Sequence, residues 1–503
     1  MTDIRDIAAS IGGRFSGPAV EVRGVTHNAQ AAAPGLMFAA IQGAKSDGHN
    51  YIPQALERGA VAVLSERPAP PDFPAAWVQV DNIRFAMARA ANVVYGHPTH
   101  ELKLAAITGT NGKTTTVYLL DAIFRAAHGI SAMLSTVEYR IGDDSEVARL
   151  TTPEASEVQA FMRRAVLAGC PAAAMEASSV ALDVYRVADV RFAAAIFSNL
   201  TQDHLDYHGT MENYFDAKLR LFDGRNGELP GVAVLNLDDS YGERIHQTVK
   251  DRVPVVRYGL KDSTERPLDY WLDAYATRPS GLELTVHTPD GPLPLKSRLV
   301  GQPHAYNILA ATATARALGI APEHIAAGVA AAVVPGRFEL VETGDLGFLV
   351  AVDYAHTPDA VVNVTASARA LARDLGGRVI TLFGCGGDKD RTKRPLMAKA
   401  AGEGSDLVVM TSDNPRSESP EAILDDAEVG LRDLGVPYHR IVDRREAIEF
   451  AIRQAQPNDV VVLAGKGHET YQILSTGTIH FDDREEARAV LQRLPGKGAA
   501  HAN

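Results

Sequence analysis

Residues 104–116 read LAAITGTNGKTTT: an apolar run, then Gly109-Thr110-Asn111-Gly112-Lys113-Thr114, then Thr115 and the start of a helix-forming stretch. Glycines at that spacing let backbone N–H groups curl around phosphate oxygens, and a helix beginning there adds the positive end of its dipole. Lys113 would reach the β- and γ-phosphates of a nucleotide, and the Thr114 hydroxyl could ligate Mg2+. A strict Walker A loop would start on a glycine at position 107, where Ile107 stands, so this is a variant phosphate loop. The bland alternative, a glycine-rich turn with no ligand, fits the strand–loop–helix context poorly. The loop alone names no reaction, because motors, kinases and ligases share it.

Strings further along are more specific. They are TTP (151–153), MEASS (175–179), SNLTQDHLDYHG (198–209), the AK of YFDAKLRLF (214–222), GQPHAYNILAA (301–311), PGRFE (335–339), DYAHTPDA (353–360), FGCGGDKDRTKRP (383–395), SDNPR (412–416) and GKGHE (465–469). In this order, and together with GTNGKTT, the set resembles the Mur ligase family, the ATP-dependent amide-forming enzymes of peptidoglycan precursor synthesis. Within it, DYAHTPD, GCGGD, DNPR and GKGHE resemble the members that add a diamino acid to UDP-N-acetylmuramoyl-L-alanyl-D-glutamate. The resemblance implies two steps. A substrate carboxylate attacks the ATP γ-phosphate to give an acyl phosphate, and the incoming amine then displaces phosphate. Negative charge gathers on the transferring oxygens, so positioned cations should carry most of the catalysis.

By the same resemblance, Lys113, Glu176, His204 and Lys218 are expected to be catalytic. Thr114, Glu176, His204 and a CO2-derived carbamate on Lys218 (N6-carboxylysine) would hold Mg2+. Bland alternatives are a strand-end carboxylate paired with a base for Glu176, a satisfied core histidine for His204 and a surface lysine for Lys218. For Lys218, flanking Ala217, Leu219 and Phe222 point to partial burial, which lowers an amine pKa and favours the reactive neutral form. ATP would be held by residues 109–115 with Asn307, Arg337, Asp353 and His356, the bland alternative for Asn307 being a helix cap or a helix-surface amide.

The muramoyl-dipeptide would lie on Thr151, Thr152, Ser178 and Arg186, with its uridine diphosphate near His27 and Ala29. Here the chain departs from the family pattern. Asn28-Ala29-Gln30 replaces the usual Asp-Ser-Arg, Val180 replaces a frequent histidine, and Val184 a frequent polar residue. Lys389, Asp413, Asn414, Pro415, Arg416, Gly465 and Glu469 would receive the diamino acid. Arg416 could grip the distal carboxylate of meso-diaminopimelate bidentately, and would carry a desolvation cost beside a substrate lacking that group. Lys389 keeps the charge but not the fork of the arginine frequent there. Diaminopimelate is therefore expected ahead of L-lysine or L-ornithine.

The elements that must position these residues alternate short apolar strands with helices, which implies parallel βαβ units. VEVRGVTH, LMFAAIQ, AVAVLSE and WVQVDN predict strands in a smaller N-terminal α/β domain over 1–102, with helices at YIPQALERG and RFAMARAANVVYG. A central doubly wound, mostly parallel phosphate-loop domain is expected over 103–336, with hairpins at 265–300. A Rossmann-like α/β domain is expected over 337–503, its strands LGFLVAVDY, RVITLFG, DLVVMTS and DVVVLAGKG each followed by a helix, and its tail GKGAAHAN frayed. Functional loops should lie at the carboxyl ends of the strands.

Composition narrows the class. Fifty Lys and Arg stand against 62 Asp and Glu, a net charge of −12, which excludes a general nucleic-acid binder and requires local cations for any polyanionic substrate. Cys170 and Cys385 make no disulfide framework in 503 residues, and no signal-peptide core or membrane-length apolar stretch occurs. The expectation is a cytoplasmic, monomeric enzyme with small-molecule substrates. A folylpolyglutamate synthetase has no reason to carry DNPR and GKGHE. A non-catalytic nucleotide-binding regulator would not need Lys113, Glu176, His204 and Lys218 together. A motor or transport ATPase would need a Walker B strand, which is not identifiable.

Overall fold

The computed structural model describes residues 1–43, 46–261 and 267–494. Among them, three large sheets carry the architecture. The first has five strands in the order Arg14–Ser16, Ala76–Gln79, Ala62–Ser65, Leu36–Ala39, Gly24–Thr26, all parallel except the antiparallel edge Arg14–Ser16. Helix Ile83–Val94 covers it. Its N-cap Asn82 accepts a bond from the Phe85 amide, and Ile83, Ala86, Met87, Ala90 and Ala91 fall on one buried face at helical spacing.

The second sheet has eight strands. From one edge they run Asp144–Val147, Glu138–Ile141, Ala132–Leu134, Ala172–Glu176, Lys103–Thr108, Ala194–Phe197, Ala233–Asn236 and Val255–Tyr258. Six are parallel, and the first two form an antiparallel edge hairpin that the apolar runs do not announce. The parallel strands are almost wholly apolar because helices cover both faces. Lys103–Thr108 lies between Ala172–Glu176 and Ala194–Phe197, so the chain crosses to either side of it and leaves a crevice at the carboxyl ends. Helix Lys113–His128 leaves that crevice and packs on Pro322–Ala331 so closely that a Cβ on Gly328 would lie 2.4 Å from Ile123 Cα. Antiparallel strands Trp271–Arg278, Gly281–Thr288 and Gly291–Ser297 form the expected hairpins.

The third sheet runs Glu339–Val341, Leu349–Asp353, Val460–Ala464, Val379–Cys385, Leu407–Ser412, Tyr438–Arg440, again parallel apart from its first edge. One expectation needs correction. Val460–Ala464 does not lead directly into a helix: a loop and the hairpin Tyr471–Leu474/Gly477–His480 intervene before helix Asp483–Leu491. Gly465 and Gly467 take φ of +120° and +53°, which turn the chain away from helical geometry. The hairpin that follows covers the loop of residues 413–416, with Arg416 N donating to Ile473 O at 3.0 Å and Ile473 N to Asn414 Oδ1 at 2.9 Å. The tail at 496–503 lies outside the described residues. Both cysteines are buried free thiols. No helix among the described residues is long and apolar enough to cross a membrane.

Candidate active site

A cavity of about 590 Å³ opens where the carboxyl ends of the central strands meet the third sheet's domain. The phosphate loop forms its floor. Gly112 has φ +88°, and a Cβ there would come within 2.4 Å of Asn307 Oδ1, so both backbone and space demand glycine. The neighbouring strand's exit braces the loop: Thr110 N donates to Asn199 O at 2.8 Å, Asn111 N to Asn199 Oδ1 at 2.9 Å, and Ser198 Oγ to Asn111 O at 2.7 Å. Lys113 Nζ folds back onto Gly109 O (3.0 Å) and Thr110 O (2.8 Å), the loop's own carbonyls. Burial lowers its pKa, while Glu176 and Asp203 act to raise it.

Glu176 ends its strand with no exposed surface. Its carboxylate accepts from Thr114 Oγ1 (2.9 Å), Thr136 N (2.7 Å) and Thr136 Oγ1 (3.1 Å), hydroxyl and amide donors and not the base that the bland alternative required. His204 has φ +53° and forms the turn into helix Leu205–His208. Its Nε2 lies 3.4 Å from Asp203 Oδ2, and its half-exposed ring edges Tyr214, which is not the setting of a satisfied core histidine. Desolvation in the cleft pulls its pKa down to about 4, partly offset by Asp203, and the neutral imidazole is the form that ligates a metal.

Lys218 is 1% exposed, not a surface lysine. Its Nζ donates to Gly109 O at 2.8 Å and sits 4.5 Å from the Tyr214 ring centroid, with no carboxylate in pairing distance among the described residues. Burial, with repulsion from Lys113, pushes its pKa well below the ordinary value. A buried amine whose pKa is lowered in this way fits carbamylation. Among the described residues no three His, Cys, Asp or Glu side chains converge on one point. The donors present, a threonine hydroxyl, a carboxylate and a neutral imidazole, fit a Mg2+ that draws its remaining ligands from phosphate and water.

The third domain closes the cavity. Arg337 donates to Thr114 Oγ1 at 3.2 Å, and its guanidinium lies 4.6 Å from the Tyr354 ring centroid. Asp353 spends both oxygens on backbone, accepting from Phe338 N (2.7 Å) and Ala355 N (2.8 Å), and so holds the turn that presents Arg337. His356 Nδ1 bonds Tyr354 O at 2.8 Å, and the residue lines the cavity. Asn307 is buried in the body of helix Gln302–Ala317, which removes the cap alternative. The motif reading passed over Thr136 and Asp359. Thr136 lies in no motif, and Asp359 meets Asn111 Nδ2 at 2.7 Å across 248 positions.

Thr151, Thr152, Ser178 and Arg186 line the same cavity. Thr152 Oγ1 donates to Glu176 O (2.9 Å) and accepts from Ser178 N (3.1 Å), while Arg186 donates to Thr152 O (3.2 Å) and pairs with Glu154 at 2.8 Å. His27 and Ala29 do not reach it. Ala29 is buried under the Asn28 cap of a short turn, and His27 Nδ1 is buried without a partner among the described residues. The expected diamino-acid residues form a second cluster at the carboxyl ends of the third sheet. Arg416 (φ +54°) donates to Gly387 O (2.8 Å) and Asn414 O (3.3 Å) and pairs with no carboxylate among the described residues. The Pro415 backbone lies against Gly387, where a Cβ would come within 1.9 Å of Pro415 O. Asn414 Nδ2 donates to Glu469 Oε2 at 2.9 Å, and Gly465 N to Asp353 O at 3.0 Å, which ties this cluster to the nucleotide side. Lys389 is exposed.

Comparison with known proteins gives a consistent set of similarities. Profiles described as Mur ligase family, catalytic domain, Mur ligase middle domain, and Mur ligase, glutamate ligase domain match residues 21–107, 107–315 and 336–467. A UDP-N-acetylmuramoyl-L-alanyl-D-glutamate--2,6-diaminopimelate ligase of Solibacter usitatus is 48% identical over 94% of each chain. One of the same name from Geobacter metallireducens is 44% identical over 95% of this chain and 96% of its own. A solved structure of a ligase of that name superposes with TM-score 0.66 at 32% identity, covering 94% of this chain and 95% of its own.

Proposed function

The chain belongs to the Mur ligase family, and from that premise we propose that it joins 2,6-diaminopimelate, in its meso form, to UDP-N-acetylmuramoyl-L-alanyl-D-glutamate at the expense of ATP. The observation that carries the reading is the convergence, in one cavity, of the phosphate loop, Glu176, His204 and Lys218 with Arg337 from another domain. Residues 109–115 hold the triphosphate, and Lys113 exchanges its own loop's carbonyls for the β- and γ-phosphates. Arg337 adds a second cation when the domains close.

Mg2+, bound through Thr114 and Glu176 and through His204 with a carbamate on Lys218, would neutralise charge on the phosphoryl oxygens. The carbamate forms when the neutral Lys218 amine adds to CO2 and releases a proton. Thr151, Thr152, Ser178 and Arg186 orient the acceptor so that a carboxylate oxygen attacks the γ-phosphorus while the bond to ADP breaks. The diamino acid's nitrogen then attacks the acyl carbon, phosphate leaves, and the nitrogen gives up its proton. Arg416, lacking a carboxylate of its own, suits the distal carboxylate that lysine and ornithine do not have. The enzyme acts as a monomer in the cytoplasm, where ATP and nucleotide-linked precursor are both present.

Phosphate release by purified protein with Mg2+ and bicarbonate tests this. Release should require both the nucleotide-sugar dipeptide and diaminopimelate. No nucleotide consumption with both present, or equal turnover with ornithine, would overturn the reading.

A further inference from the structure

Between Gly465 and Glu469 the motif reading passed over Lys466, which has no exposed surface at all. Its ammonium stands 3.4 Å from Asp413 Oδ1, 3.2 Å from Asn414 Oδ1 and 3.3 Å from Glu469 Oε2. All three distances are at the long end for bonds to a charged donor, so no single acceptor captures it. Asp413 Oδ2 and Glu469 Oε1 make no hydrogen bond among the described residues, and a Cβ on Gly465 would lie 3.5 Å from that Asp413 oxygen. The nearby buried cation Arg444 is committed to Asp483 through bonds of 2.8 and 2.6 Å and adds no net charge. Two carboxylates thus face one ammonium, leaving one negative charge and two free oxygens.

We infer that Lys466 is a positioning residue for the amine substrate: it holds the Asp413 and Glu469 carboxylates in place with one uncompensated charge, the complement of a single ammonium of the diamino acid. The inference rests on the ligase reading above and deepens it. Without Lys466 the two carboxylates repel, Glu469, whose pKa burial and Asp413 already raise, takes up a proton, and one acceptor for the substrate is lost. The bland alternative is that Lys466 is only a strut between loops 413–416 and 465–469.

Steady-state kinetics on Lys466→Met and Lys466→Gln separate the two. Positioning predicts that KM for diaminopimelate rises about tenfold or more while KM for ATP and for the nucleotide-sugar dipeptide stays unchanged. Combined with Glu469→Gln, the loss should be smaller than the product of the single effects, because both substitutions remove the same contact. An unchanged KM for diaminopimelate, or effects that simply multiply, overturns the inference. Should neither variant fold, Asp413→Asn leaves one carboxylate for one ammonium, and an unchanged KM in that variant overturns the charge count. A wild-type protein inactive with every diamino acid removes the ligase reading itself, whereas an active wild type with an indifferent Lys466→Met removes only this inference.

Discussion

Asp483→Ala is the sharpest perturbation of the third domain. Arg444 and Asp483 pair with no exposed surface on either side chain. The guanidinium also donates to Ser412 O (3.4 Å) and Ala464 O (3.1 Å), the last residues of the strands that lead into 413–416 and 465–469. Removing Asp483 leaves a buried cation with carbonyl acceptors only, a loss of about 3–5 kcal/mol. In a unit of this size each kcal/mol lowers Tm by about 2–4 °C, so the transition should fall by about 6–20 °C. Replacing both partners, Arg444→Met with Asp483→Leu, removes the charge together with its desolvation cost and should recover much of the loss. Differential scanning calorimetry reads all three proteins, and KM for diaminopimelate should rise in Asp483→Ala because the strand ends lose their anchor. A single variant melting within about 2 °C of wild type, or a double variant less stable than the single, would refute the reasoning.

Lys218→Ala should nearly abolish turnover while ATP still binds by titration calorimetry, and wild-type rates in that variant would remove the carbamate. Gly112→Ala drives a Cβ to 2.4 Å from Asn307 Oδ1 at a φ of +88°, so ATP affinity should fall about tenfold or more, and an unchanged Kd would contradict the loop geometry. Burial lowers the His304 pKa from 6.5 to about 4, so the unfolded chain takes up this proton before the fold does. The stability present above pH 6.5 is lost as pH falls, by about 2 kcal/mol on reaching pH 5. Denaturation midpoints should fall less steeply with acid in His304→Gln, and an identical slope would show that this imidazole does not titrate as described.

Much of the site was legible because its signals are local. Residues 109–114 announce themselves through glycine spacing, and Gly112's positive φ and close approach are what that spacing encodes. Arg337, Asp353 and Asn307 could be picked out only by resemblance, since nothing in their immediate neighbours says that they face a nucleotide. Asp353, expected there by the same resemblance, lines the cavity, and its two oxygens accept from the Phe338 and Ala355 amides. The hairpin after Val460–Ala464 escaped because two four-residue strands after a glycine turn are too short to set up an apolar period.

Local chemistry by itself determined the phosphate loop, the buried parallel strands and the charge balance that excludes nucleic acid, because each depends on residues a few positions apart. Sheet order decided the rest. It places Lys103–Thr108 between Ala172–Glu176 and Ala194–Phe197, which brings Gly109, Glu176 and His204 to one crevice, and the packing of one domain on another brings Asp359 across 248 positions to Asn111. It also seals Lys466 between two carboxylates. Whether a lysine is a solvated charge or a buried, site-forming one depends on which distant segments close over it, and only the packed chain settles that.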